Sequence, residues 1–177
     1  MPKTSYLHIQ LLIPPINAVL SNGKGIRYGR TLAMSGDYAV IGASHVEDSI
    51  GEAYIYRLET HNETRGNTPR RTTRWTLCQN LRSPVGHGGY FGISVDIFHE
   101  RIIVGASGFD PDIAGLWSAN YEFSYGLLNA NTGAAYIYAL SVQQDRWAPI
   151  TQLQPTQEAS NGSYFGFSVG LWNNTGT

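Results

Sequence analysis

Short apolar runs, each a few residues long, alternate along this chain with clusters of Gly, Asn, Ser, Asp and Pro. ISVDIF (93–98) and AYIYAL (135–140) carry the β-branched and aromatic residues that strands favour. Ser35-Gly36-Asp37 is a tight-turn signal between two such runs. No long 3.6-residue periodicity competes with these alternations. The pattern predicts an all-β chain with strands at about 29–35, 38–43, 52–58 and 75–81, then at 91–98, 101–106, 133–140 and 147–153.

The runs recur in order. YGRTLAMSGDYAVIGAS (28–44) aligns with FGISVDIFHERIIVGAS (91–107), and a third copy, FGFSVGLWNN, begins at Phe165. Thirteen positions separate Gly29 from Gly42 and Gly92 from Gly105. GEAYIY (51–56) matches GAAYIY (133–138), and an aromatic precedes a leucine by six positions at Tyr6–Leu12, Trp75–Leu81 and Trp147–Leu153. Length differences fall between these blocks, at 59–74 and 107–132, so both segments read as loops, which absorb extra residues cheaply. Four short antiparallel strands per repeating unit is the signature of β-propeller blades.

The divisions that follow are 1–27 as the last strand of a preceding blade and a linker, 28–90 as blade one, 91–164 as blade two, and 165–177 as the first strand of a third. Tyr28, Phe91 and Phe165 are expected as buried rings at the starts of inner strands, with Gly29, Gly92 and Gly166 beside them. Gly42 and Gly105 are expected at crowded backbone sites, and Trp75 and Trp147 at equivalent places in outer strands. Propellers need about four to eight blades, so two complete blades with parts of two more imply a fragment, an open array, or an assembly completed by another chain.

These residues resemble the FG-GAP repeats of integrin α-subunit propellers and, more closely, the repeats of bacterial and protist surface proteins. The resemblance runs from about Tyr6 to Trp172. It implies a propeller that works as a surface or extracellular module for adhesion or assembly. Integrin-type repeats often carry an Asp- and Asn-rich calcium loop between FG and GA. Here that interval holds only Asp37 in one unit and Asp96 and Glu100 in the other, too few oxygens for calcium, so no metal site is carried over. Asp110 and Asp112 fit a calcium loop loosely; a solvated turn explains them better.

Composition narrows the partners. Charged residues make up 14% of the chain and the net charge is −1, without the basic excess of a general nucleic-acid binder. Cys78 is the only cysteine, which excludes an intrachain disulfide. No apolar stretch approaches a membrane span, and Leu7–Ile13 is too short and interrupted for a signal peptide.

Catalytic patterns are few. Gly166-Phe-Ser168-Val-Gly170 matches a nucleophile-elbow pattern, but Ser168 is the repeat equivalent of Ser94 and Thr31, in a strand rather than a strand–turn–helix. Ser44, His45, Glu47 and Asp48 gather nucleophile, base and acid types, yet residues adjacent in sequence rarely converge as a triad. The 59–74 segment is Arg-rich and expected as a solvated loop. We therefore expect no catalytic residues, no cofactor and no metal. The remaining alternative is an enzyme, hydrolase or lyase, on a propeller scaffold. The 107–132 insertion carries Phe109, Trp117, Tyr121, Phe123 and Tyr125, an aromatic load that suits a protein or glycan partner. Strand alternation places this insertion on the face of the inter-blade linkers, opposite the Arg-rich segment.

Overall fold

The computed structural model of the chain describes residues 10–15, 25–47, 49–65, 68–83, 89–109, 132–155 and 162–172. Among these residues eight strands form two four-stranded antiparallel sheets, each in simple meander order. The first holds β1 (Tyr28–Ser35), β2 (Tyr38–Ala43), β3 (Glu52–Arg65) and β4 (Thr68–Leu81). The second holds β5 (Ser94–Phe98), β6 (Arg101–Ala106), β7 (Ala134–Ser141) and β8 (Arg146–Leu153). These are the two four-stranded units that the repeat predicts.

Their registers repeat as well. Ile41 faces Tyr54 and Val104 faces Tyr136, while Ala53 faces Leu81 and Ala135 faces Leu153. Both outer hairpins shift register at the same place, between Ile55 and Tyr56 and between Ile137 and Tyr138, leaving Cys78 and Ile150 as the extra residues of matching bulges.

The sequence reading fails at 59–74. Residues 59–65 and 68–74 are not a loop but the far ends of β3 and β4, which pair without a break from Tyr56–Leu77 to Arg65–Thr68. The reason lies in their composition. Thr60, Thr64, Thr68, Thr72 and Thr73 are β-branched and hold a strand well. Thr60, Asn62, Thr64, Arg71 and Thr73 leave no apolar face to produce an alternation signal.

The main core lies between the sheets. Val40, Ala53, Ile55 and Leu81 from the first meet Phe91, Val95, Ile97, Ile102, Val104, Tyr136, Tyr138 and Trp147. A second cluster covers the opposite side of the first sheet, where Ala39, Ile41, Tyr54 and Tyr56 pack with Ile26 and Val46, and with Leu12, Tyr28 and Trp75 at its rim.

The joint between successive units is built from backbone. The linker carrying Phe91-Gly92 lies on the first sheet: the Phe91 amide donates to Ile50 O at 3.0 Å, and the Thr31 hydroxyl donates to Gly92 O at 3.1 Å. Phe165-Gly166 lies on the second sheet in the same way, through the Phe165 amide to Thr132 O at 2.9 Å and the Ser94 hydroxyl to Gly166 O at 2.7 Å. Gly42 and Gly105 make room for this approach. A methyl group on either would overlap the carbonyl oxygen of Gly92 or Gly166 respectively. Thr31 and Ser94 are thus joint residues, and Ser168 holds the third position of that series.

A second joint, unseen in the sequence, ties the outer strands. Gln79 of β4 brackets the backbone of Trp147 in β8: its amide donates to Trp147 O, and its carbonyl accepts from the Trp147 amide, both at 2.8 Å. Gln10 brackets Trp75 identically, at 2.8 and 2.7 Å. Gln10 precedes Leu12, and Gln79 precedes Leu81, by the same two positions. Residues 10–13 therefore meet β4 as β4 meets β8.

Candidate functional site

The β2–β3 loop, described at 44–47 and 49–51, and the segments that precede β1 and β5 converge at one end of the molecule. The His45 amide donates to Ile26 O at 3.1 Å, and the Tyr90 amide donates to Ser49 O at 2.7 Å. These bonds bring Gly25, Arg27, His45, Ser49 and Tyr90 around an open cleft of about 630 Å³. The His45 and Tyr90 rings lie 5.1 Å apart with their planes 34° from parallel. On its other flank Tyr90 rests against Gly108, where a side chain would collide with the ring.

Four non-glycine residues at this end hold left-handed backbone: Arg27, Glu47, Ser49 and Tyr90. Arg27 and Tyr90 share this conformation with Tyr164, so it belongs to the turn that precedes each FG pair. Glu47 and Ser49 belong to the loop itself. Non-glycine left-handed residues cost on the order of 1 kcal/mol or more, and persist only where the surroundings fix them.

At the start of β3, just past the loop, Glu52 is buried at 4% exposure. Its carboxylate accepts from Arg82 Nε and from the Tyr54 hydroxyl. Arg82 also donates to Glu47, at 2.8 and 3.2 Å. Burial opposes the Arg82 charge, but Glu52 and Glu47 together raise its pKa. Burial, then the bond to Glu52, holds Tyr54 above the usual tyrosine range. This network fixes the loop to the linker. At the repeat-equivalent positions the second sheet has Ala134 and Gln154.

The sequence candidates are distributed unevenly. Phe109 does not face a partner: it is 3% exposed and belongs to the main core. It occupies the position that Val46 holds in the first unit, one that packs inward in both. Trp117, Tyr121, Phe123 and Tyr125, with Asp110 and Asp112, lie outside the described residues. Phe91 is fully buried against Tyr136 and Tyr138, and Tyr28 is half-buried against Tyr54, its hydroxyl 2.7 Å from that of Tyr56. Phe165 is instead 38% exposed, because no described residue covers its ring from the far side. Trp147 is 2% exposed and Trp75 is half-buried. Gly29, Gly92 and Gly166 share φ near +80°: 80°, 84° and 81°.

Ser44 and His45 do touch, with Oγ 3.1 Å from Nδ1, but Ser44 is 1% exposed and Glu47 is turned to Arg82. No group of three or more His, Cys, Asp or Glu among the described residues could hold a metal. The described residues include no helix long and apolar enough to cross a membrane.

Comparison with known families agrees with the repeat. The family model described as FG-GAP repeat matches residues 23–56, which span Arg27, the Tyr28-Gly29 turn, Gly42-Ala43 and the start of β3. Residues 23–56 are similar to an FG-GAP repeat. No curated protein matches the chain. The FG-GAP repeat points to a β-propeller type of interaction module, and the cleft lies at the end of that repeat where loop and linkers meet.

Proposed function

We propose that this chain is a non-enzymatic interaction module that engages a protein or glycan partner through its loop-and-linker face. Its setting is the cell surface or the extracellular space, in adhesion or assembly, and further blades come from another chain or from another part of a longer one. The observation that carries the reading is the cleft itself. Arg27 and Tyr90 are exposed at its mouth, Tyr90 with one edge packed on His45 and Gly108. Functional groups presented by loops on a rigid sheet scaffold are the usual arrangement for recognition. The 107–132 insertion joins this face in the topology, and Trp117 and Tyr121 are its proposed anchors.

The experiment is to probe glycan and protein arrays with the purified chain, beside the Trp117→Ala/Tyr121→Ala and Arg27→Asn/Tyr90→Asn pairs. Asparagine tolerates the left-handed backbone at both latter sites. The expected result is saturable binding by the parent and loss by both pairs at unchanged melting temperature. Binding unaffected by either pair would overturn the reading. So would turnover of hydrolase or lyase substrates, which would favour a propeller-scaffold enzyme.

A further inference from the structure

Resting on that reading, we infer that the Arg27–Tyr90 cleft takes an acidic saccharide, with its oxyanion held by Arg27. Three observations lead there. The first is charge. Arg27 has no ion pair among the described residues, as is also true of Arg30, Arg71, Arg74, Arg101 and Arg146, but of these it alone lines the cleft, whose lining holds no carboxylate. Glu47, in the loop that walls the cleft, is already bound by Arg82. A guanidinium offers a planar fork of donors that matches a carboxylate or sulfate.

The second is the lining. Gly25, Arg27, His45, Ser49 and Tyr90 include no aliphatic side chain. A protein partner would need an apolar anchor pocket, and drug-like ligands favour mostly apolar walls. The hydroxyls of Ser49 and Tyr90, the His45 imidazole and the Arg27 guanidinium, with two aromatic rings among them, suit a polyhydroxylated ring. The cleft, at about 630 Å³, also exceeds what a bare inorganic anion would fill.

The third is that the set is specific to one unit. Where the first unit has Arg27 and His45, the second has Tyr90 and Gly108. Tyr90 recurs as Tyr164, but Arg27 and His45 have no counterpart of the same type, so the fold alone does not require those two. The backbone bonds from His45 to Ile26 and from Tyr90 to Ser49 hold the cleft open without using their side chains.

Carboxylated and sulfated saccharides share the oxyanion-on-a-ring chemistry, and calorimetric titration separates them. The probes are a galacturonic acid hexamer, a heparin hexasaccharide and neutral maltohexaose, each against the whole chain. At least one acidic probe is expected to bind at least tenfold more tightly than the neutral one. Arg27→Asn should weaken that binding at least tenfold and Arg27→Lys by less, while Arg74→Ala, on the far hairpin, should leave it unchanged. Equal binding of the neutral probe, or an Arg74→Ala loss equal to that of Arg27→Asn, would overturn the inference. If no acidic probe binds but an array ligand still responds to the loop-face variants, the saccharide inference falls and the module reading stands. If nothing responds to those variants, both fall.

Discussion

Among the described residues, the centre of the first sheet is covered on both sides and that of the second mainly on one. Val40, Ala53 and Ile55 of the first face the second sheet, and its opposite side is covered by Ile26 and Val46 with Leu12. The second sheet turns Val95, Val104 and Tyr136 toward the first. Its other side meets only the 162–172 segment among the described residues, leaving Phe165, Phe167 and Trp172 at 38%, 59% and 90% exposure. One repeated sequence pattern thus sits in two environments. Residues of identical repeat position should differ in energetic weight according to what covers them, and the sharpest tests substitute both members of a pair.

The largest difference is expected at the FG aromatics. Phe91→Ala should cost about 4 kcal/mol, the range for emptying a packed aromatic site, whereas Phe165→Ala should cost less than about 1 kcal/mol. Urea unfolding of both variants measures this. Equal losses would mean that Phe165 is as well packed as Phe91.

Next come the joint glycines. Gly42→Ala drives a methyl group into the Gly92 carbonyl, on a linker pinned between two sheets. The cost should be about 3 kcal/mol, at the upper end for overpacking. Gly105→Ala meets the Gly166 carbonyl in the same way. That segment is bound on one side only among the described residues and can move aside, so about 1 kcal/mol is expected. A Gly105→Ala cost equal to that of Gly42→Ala would show the 162–172 segment to be as firmly held as the linker.

The buried polar network offers a swap. Arg82→Met leaves Glu52 enclosed without its cationic partner. Removing one member of a fully buried pair costs roughly 3–5 kcal/mol. Arg82 is 52% exposed, so about 2 kcal/mol is expected here. Glu52→Ala combined with Arg82→Gln rebuilds the arrangement of Ala134 and Gln154, and should recover most of that loss. A double variant no more stable than Arg82→Met would mean that the second sheet solves this corner by other means.

How much of this was visible in the sequence depends on whether a feature repeats in an apolar alphabet. The FG and GA glycines, the AYIY strands and the Trp–Leu spacing repeat in residue types that mark strands and close packing, so the two sheets were readable. The Gln10 and Gln79 clamps repeat just as strictly, two positions before a leucine, but glutamine carries no strand or turn preference and drew no notice. The long β3–β4 hairpin escaped because it is wet on both faces. The inward position of Phe109 could have been found by aligning it with Val46. The cleft was least legible, since Arg27, His45 and Tyr90 lie far apart in sequence and the first two occur in one unit only. Only Ser44 and His45 drew attention, for a triad that burial of Ser44 does not support.

The glutamine clamps test the outer edge of the same comparison. Gln79 is half-buried between the sheets, so Gln79→Ala leaves the Trp147 amide and carbonyl without partners at a seam of limited water access. About 1.5 kcal/mol is expected. Gln10→Ala exposes the Trp75 backbone to solvent, which replaces the lost bonds, and should cost about 0.5 kcal/mol. Amide hydrogen exchange at Trp75 and Trp147 reads each clamp directly. Faster exchange at Trp147 alone after Gln79→Ala is the expected pattern; accelerated exchange throughout the second sheet would make the clamp part of the core rather than its border.

The smallest effect lies at the rim, where Arg57 of β3 reaches Asp145 in the β7–β8 turn at 2.7 Å. It is the only ion pair between the sheets among the described residues, and both side chains are substantially exposed, at 35% and 61%. Water screens such a pair, and ordering two mobile side chains consumes most of what the attraction provides, so exposed pairs are worth about 0–1 kcal/mol. Arg57 also shares its charge with Glu59 at 3.2 Å, so loss of Asp145 still leaves it a partner. A double-mutant cycle with Arg57→Gln and Asp145→Asn should therefore give a coupling of about 0.5 kcal/mol at low ionic strength. At 1 M salt the Debye length falls to about 3 Å, and the coupling should vanish. A coupling above about 2 kcal/mol that survives salt would mean that the rim, and not the Phe91 joint, holds the second sheet to the first. The ordering from apolar centre to polar edge would then be reversed.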